Sequence, residues 1–121
     1  MKILVADDEI HITTLLKITL EMHGYTVMVA NDGAEALEKV EADLPDLVLL
    51  DIKMPQMNGW QVCEKLKSDE RTKNIPVLIL TNFGQKEKID QCLNLGAEDY
   101  LIKAHFVPSE VIDRIKKIIG S

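Results

Sequence analysis

Five side chains in this sequence have the types that one kind of chemistry needs. They are the carboxylates of Asp7, Asp8 and Asp51, the hydroxyl of Thr81 and the ammonium of Lys103. Each comes at the end of a short apolar run. Asp7, Asp8 and Glu9 follow Lys2–Ala6, and Asp51 follows Asp46–Leu50. Thr81 and Asn82 follow Ile75–Leu80, and Lys103 follows Glu98–Ile102. Three carboxylates brought together repel, and one lysine cannot neutralise them. An all-oxygen cluster without His or Cys suits a hard divalent cation. Mg²⁺ fits best, because it tolerates few protein ligands and keeps waters. A metal, a carboxylate, a hydroxyl and an ammonium are what a phosphoryl group needs. The carboxylate is the nucleophile, the cations sit on the phosphoryl oxygens, and the hydroxyl donates to a third oxygen.

Taken singly, each residue has a plainer reading. An Asp-Asp pair ahead of a helix caps it and supplies first-turn acids. An Asp after a strand is a turn residue. A lone Thr packs, and a lone Lys is a solvated charge. What outweighs these readings is the order of the positions along one edge of a sheet. Asp8 can cap a helix and still offer its carboxylate to a metal.

The elements that must position these groups alternate along the chain. β-branched and aliphatic runs fall at Lys2–Ala6, Thr26–Val29, Asp46–Leu50, Ile75–Leu80 and Glu98–Ile102. Between them lie stretches with helical spacing. The first covers Glu9–His23, with Ile12, Leu15, Leu16 and Leu20 on one side. The second covers Gly33–Glu41 after a cap at Asp32, and the third Gly59–Lys67 after a cap at Asn58. The last two cover Gln85–Leu95 and Ser109–Ile119, ended by Gly96 and Gly120. Strand followed by helix five times reads as a parallel α/β sheet covered on both faces. The expected fold is a flavodoxin-like (βα)5 three-layer sandwich with strand order 2-1-3-4-5. In such sheets ligands bind outside the carboxyl ends of the strands. Strands 1, 3, 4 and 5 would be consecutive there, so their terminal polar residues converge.

The totals fit one domain, residues 1–121. Apolar residues make up 46% and charged residues 28%, the balance of an ordinary globular protein. The net charge of −6 argues against direct binding of nucleic acid, which needs a basic face. No apolar run reaches the length of a membrane span, and no signal peptide is visible. Cys63 and Cys92 lack C-x-x-C spacing and read as small core or helix residues in a reducing cytoplasm. His11, His23 and His105 fit no metal or relay spacing, and Trp60 reads as a partly buried anchor.

Four segments resemble the receiver domains of two-component response regulators. They are Ile3-Leu4-Val5-Ala6-Asp7-Asp8-Glu9, then Leu49-Leu50-Asp51-Ile52-Lys53-Met54-Pro55-Gln56-Met57-Asn58-Gly59. Pro76-Val77-Leu78-Ile79-Leu80-Thr81 and Gly96-Ala97-Glu98-Asp99-Tyr100-Leu101-Ile102-Lys103 complete the pattern. The resemblance implies that Asp51 is the phosphoacceptor. It implies that Asp7, Asp8, Asp51 and the backbone carbonyl of Lys53 hold Mg²⁺ or Mn²⁺. Lys103 would pair with the phosphoryl group, Thr81 would hydrogen-bond it, and Tyr100 would be an aromatic switch behind Thr81. The implied partners are a sensor histidine kinase or phosphotransfer protein and an output protein. The output surface would be helix 4, strand 5 and helix 5, with Tyr100, Ile89 and Ile102 as apolar contacts. A monomer or a phosphorylation-dependent dimer in the cytoplasm is expected.

Three departures from the family pattern matter. Asn82 stands where Ala or Ser is usual. Lys103-Ala104 replaces Lys-Pro, and a non-proline cis bond costs about 2.5–4 kcal/mol, so the bond is trans or held cis at that cost. The segment Ala104–Pro108 is also one residue longer than usual. Lys53 and Phe83, each two residues beyond a site residue, are a long cation and a bulky aromatic that would obstruct water and lengthen the life of an acyl phosphate. Two other functions fit the residue types. One is an aspartyl-phosphate phosphatase, which would want a second acid where Lys53 stands. The other is a pseudo-receiver that takes no phosphate, which the intact acids, Thr81 and Lys103 argue against. No output domain is recognisable after the fifth helix, which fits a stand-alone receiver or a domain of a larger regulator.

Overall fold

The structure, a computed structural model, describes residues 1–82, 86–103 and 107–120. Among these residues five strands and five helices alternate. They are β1 (Lys2–Ala6), α1 (Ile10–Met22), β2 (Thr26–Ala30), α2 (Gly33–Asp43), β3 (Leu47–Asp51), α3 (Gly59–Ser68), β4 (Val77–Thr81), α4 (Lys86–Leu95), β5 (Asp99–Ile102) and α5 (Pro108–Ile119). The strands form one parallel sheet in the order β2-β1-β3-β4-β5, the expected flavodoxin-like order.

The alternation of side chains along each strand sorts the core into two layers. Ile3, Val5, Leu47, Leu49, Leu78 and Leu80 face α1 and α5, where Leu16, Leu20, Val111, Ile112 and Ile115 meet them. Leu4, Ala6, Val48, Leu50, Val77 and Ile79 face α2, α3 and α4. Cys63 and Cys92 are free thiols buried in this second layer. Burial of both sheet faces explains why the central strands read as unbroken apolar runs.

Several boundaries move by a residue or two, each for a local reason. Asp46 lies outside β3, because its carboxylate accepts the Lys2 backbone N–H at 2.8 Å. β3 instead runs on through Asp51, and β4 through Thr81, so both residues are the last of their strands. Pro76 lies outside β4 and has no N–H for a ladder. Glu98 precedes β5, and Gln85 lies outside the described residues. Leu15 does not belong to the buried face of α1. It is 44% exposed, whereas Thr13, Leu16 and Leu20 point inward.

The expected caps of α2 and α3 are present. Asp32 accepts the Glu35 N–H, and Asn58 forms a capping box with Gln61. The expected cap of α1 by Asp8 is not. Glu9 occupies that N-cap without a side-chain cap bond, and the Asp7 carboxylate accepts the Glu9 N–H at 2.9 Å. Asp7 is buried where it can do so, and Asp8 is exposed.

Gly59 fixes the start of α3 against the end of β3. Its N–H donates to the Ile52 carbonyl at 2.7 Å. A Cβ there would sit 2.2 Å from the Asp51 carbonyl oxygen and 2.7 Å from Ile52 Cα, both backbone atoms. Gly59→Ala is expected to lower the unfolding free energy by about 2 kcal/mol in urea titrations, since the overlap is relieved only by shifting backbone at Asp51.

Candidate phosphoryl-transfer site

The strand order brings the sequence-predicted residues to one sheet edge. Asp7 follows β1 directly, its N–H donating to the Ala30 carbonyl at 3.1 Å. Asp51 ends the central strand β3. Thr81 ends β4, and its carbonyl accepts the Lys103 N–H at 2.7 Å. That bond seats Lys103 beside Thr81, just past β5.

One carboxylate oxygen from each of Asp7, Asp8 and Asp51 lies within 4.8 Å of the others. Asp7 is fully buried and Asp51 nearly so, while Asp8 is exposed. Lys103 Nζ is buried among the acids. It lies 2.9 Å from Asp7 Oδ2, 2.8 Å from Glu9 Oε1 and 3.4 Å from Asp51 Oδ2. It donates hydrogen bonds to Asp7 Oδ1 at 3.2 Å and to Glu9 Oε1.

The charges explain the titration behaviour. Burial pushes the Asp51 carboxyl up to about 7, the Asp7 charge adds to this, and Lys103 pulls the other way. Burial alone would lower the Lys103 ammonium, but its bonds to Glu9 and Asp7 and the nearby Asp51 hold it above the usual lysine range. The Lys103 hydrogen bond holds Glu9 below the usual carboxylate range, against a small cost of burial.

Asp7, Asp8 and Asp51 fit a hard divalent ion. They put three carboxylate oxygens within one coordination sphere, in excess of the single ammonium. Asp7 Oδ2 is buried and accepts no hydrogen bond, although Lys103 Nζ is close. Its nearest cation, Lys103 Nζ at 2.9 Å, is shared with Glu9 and Asp51, so its charge is only partly offset.

Glu9 is the residue that sequence reasoning missed as a member of this site. It was visible only as one more acid after β1, and its role depends on β5 delivering Lys103 against it. Of the other expected residues, Thr81 is buried, and its hydroxyl donates to the Asn82 carbonyl at 3.1 Å. Tyr100 is 39% exposed. The side chains of Lys53 and Asn82 are exposed. Phe83, His105 and the peptide bond between Lys103 and Ala104 fall outside the described residues.

A groove of about 490 Å³ opens beside Asp8, lined by Lys53, Met54, Asn58, Trp60 and Lys88. Trp60 is half-buried, as expected, and Lys88 Nζ stands 4.1 Å over its ring. Lys88 is thus more than a solvated charge, because the ring face attracts the cation. Ile89, expected as a surface contact, is buried in the core, whereas Tyr100 and Ile102 are accessible.

The raised Asp51 carboxyl has a consequence for stability. An acid whose pKa rises from about 3.9 unfolded to a higher folded value contributes stability below the unfolded pKa, and this is lost as pH rises through the folded one. In metal-free protein, Asp51→Asn is therefore expected to come close to wild type near pH 4 and to exceed it at pH 8 by about 4 kcal/mol in urea unfolding. A divalent ion should narrow the difference at pH 8. A difference independent of pH would contradict the assignment.

Comparison with known proteins agrees with this geometry. The profile of the response regulator receiver domain matches residues 3–116. The chain is 45% identical over 120 residues to the alkaline phosphatase synthesis transcriptional regulatory protein PhoP of Bacillus subtilis, covering 98% of this chain and 48% of that protein. It is 41% identical over 118 residues to the DNA-binding dual master transcriptional regulator RpaA of Synechocystis, again covering 98% of this chain and 48% of that protein. The chain thus spans about half the length of the curated relatives it matches. Among solved structures it is similar to the chemotaxis protein CheY4 of Vibrio cholerae, with a TM-score of 0.89 and 32% identity over 97% of each chain. A CheY-like receiver domain protein from Methanospirillum hungatei gives a TM-score of 0.91 at 31% identity, covering 98% of this chain and 93% of that one. With an acidic cluster at the carboxyl edge of a 2-1-3-4-5 sheet and a family match over nearly its whole length, the chain belongs to the response regulator receiver domains of two-component signal transduction.

Proposed function

We propose that residues 1–121 act as one receiver domain in which Asp51 accepts a phosphoryl group from a phosphohistidine on a partner kinase or phosphotransfer protein. The observation that carries this reading is the placement of Asp51: the last residue of the central strand, beside two further aspartates and a buried ammonium. Asp7, Asp8, Asp51 and the Lys53 carbonyl would hold Mg²⁺ or Mn²⁺, which when bound screens the carboxylates and the phosphoryl oxygens. An Asp51 carboxylate oxygen attacks phosphorus. The bond from phosphorus to the imidazole nitrogen breaks, and its electron pair leaves with the imidazole, which takes a proton from water. Lys103 then pairs with a phosphoryl oxygen. Thr81 turns its hydroxyl from the Asn82 carbonyl to another oxygen, vacating space that Tyr100 can fill from its exposed position.

That movement would bias the surface of α4, β5 and α5 and so its choice of partner. On this surface Arg114 already joins α5 to β5, through the Asp99 carboxylate and the Tyr100 carbonyl. The kinase would dock on α1, whose outward face carries Ile10, Leu15, Ile18 and Met22, all well exposed, directly after the acidic pair. The domain would act in the cytoplasm and catalyse only its own phosphorylation and dephosphorylation. The output protein, and whether the domain works alone or within a longer regulator, would follow from that surface rather than from the phosphoryl chemistry. Among the described residues no helix is long and apolar enough to cross a membrane.

Incubation with acetyl phosphate and Mg²⁺ should add one phosphoryl mass to wild type and none to Asp51→Asn, read by intact-protein mass spectrometry. No gain in wild type would favour a pseudo-receiver. Lys53→Ala and Phe83→Ala are each expected to shorten the half-life of the acyl phosphate by about threefold or more, by admitting water. An unchanged decay would remove the shielding role from these residues.

A further inference from the structure

We infer that Glu9 competes with the phosphoryl group for Lys103 and so limits how tightly that group is held at Asp51, an inference that rests on Asp51 being the phosphoacceptor. Lys103 has three N–H donors. Its closest acid oxygen is Glu9 Oε1 at 2.8 Å, followed by Asp7 Oδ2 at 2.9 Å, with Asp51 Oδ2 at 3.4 Å. Its hydrogen bonds within the acidic cluster go to Asp7 and Glu9. The ammonium is therefore drawn toward the start of α1 and away from the acceptor.

Two opposed effects of Glu9 have to be weighed. As a tether, it would fix a flexible lysine and help phosphoryl binding. As a negative charge, it repels the phosphoryl group and draws on the cation that group needs. The tether is redundant. The Lys103 side chain is only 4% exposed, and both oxygens of the fully buried Asp7 already lie within 3.2 Å of its Nζ. The charge has no such duplicate benefit. Asp7, Asp8 and Asp51 already exceed the single ammonium, and Glu9 adds a fourth carboxylate that lies outside the metal-binding set. Its other oxygen lies 3.5 Å from His11, which is highly exposed and offers Glu9 a weak alternative partner. Competition outweighs tethering on these grounds, and Glu9 works as a brake on phosphoryl retention.

The test is binding of beryllium trifluoride, a phosphoryl analogue, at saturating Mg²⁺, followed by fluorine NMR. Glu9→Gln and Glu9→Ala are each expected to bind it about fivefold more tightly than wild type, the weight of one partly exposed ion pair. In a Lys103→Ala background the gain from either substitution should shrink to about twofold or less, because the coupling runs through Lys103. A damaged fold weakens binding, so tighter binding cannot come from misfolding. Equal or weaker binding by both Glu9 variants overturns the inference, as does a full gain that persists without Lys103. Both of those outcomes leave wild-type binding dependent on Asp51. If wild type binds no better than Asp51→Asn, the phosphoacceptor reading itself fails, and the inference with it.

Discussion

The site depends on one electrostatic constraint: a single buried ammonium, Lys103, is surrounded by more carboxylates than it can neutralise. Asp7 and Glu9 hold it most closely, and Asp51 stands slightly apart. Buried like charges are tolerated only when cations or protons offset them. Burial chiefly raises the Asp51 carboxyl, with the Asp7 charge adding to it, and the buried Asp7 Oδ2 accepts no hydrogen bond. On the proposed function, a divalent ion would relieve the excess, and a phosphoryl group would restore it together with new acceptors for Lys103 and Thr81. The same constraint that makes the resting site costly makes it responsive.

The fold exists to impose that crowding. A parallel sheet with both faces covered ends all its strands at one edge, so residues far apart in sequence are forced together. The ladder continues into the site through the bonds from Asp7 to Ala30, Ile52 to Leu80 and Lys103 to Thr81. Gly59 lets α3 begin in contact with the backbone of Asp51, which leaves that residue little freedom. Rigid strands hold the charged groups, and the residues expected to move, Thr81 and Tyr100, sit toward the β4–β5 side of the sheet.

Much of this was legible in the sequence, because the period-two and helical patterns fix which residues end each strand. The caps at Asp32 and Asn58 follow from such local signals, and the strand order and converging edge follow from the fivefold alternation taken as a flavodoxin-like sheet. What escaped depends on tertiary placement. Glu9 looks like a first-turn acid until β5 brings Lys103 against it. Asp8 looks like a cap, yet its buried neighbour Asp7 accepts the local N–H instead. Leu15 sits among apolar neighbours in sequence but turns outward, and Ile89 lies on a mostly polar helix but turns inward. Helical spacing marks an apolar side only coarsely, and packing decides its edges.

On the proposed function, Lys103 and Thr81 turn from their resting partners toward an anion carried by Asp51. A crystal structure of the protein with Mg²⁺ and beryllium trifluoride tests it most directly. Fluorine atoms are expected within hydrogen-bond distance of Lys103 Nζ and Thr81 Oγ1, with the bond from Thr81 to the Asn82 carbonyl broken. An Asp51-bound adduct with that bond intact and Lys103 still paired only with Asp7 and Glu9 would contradict it.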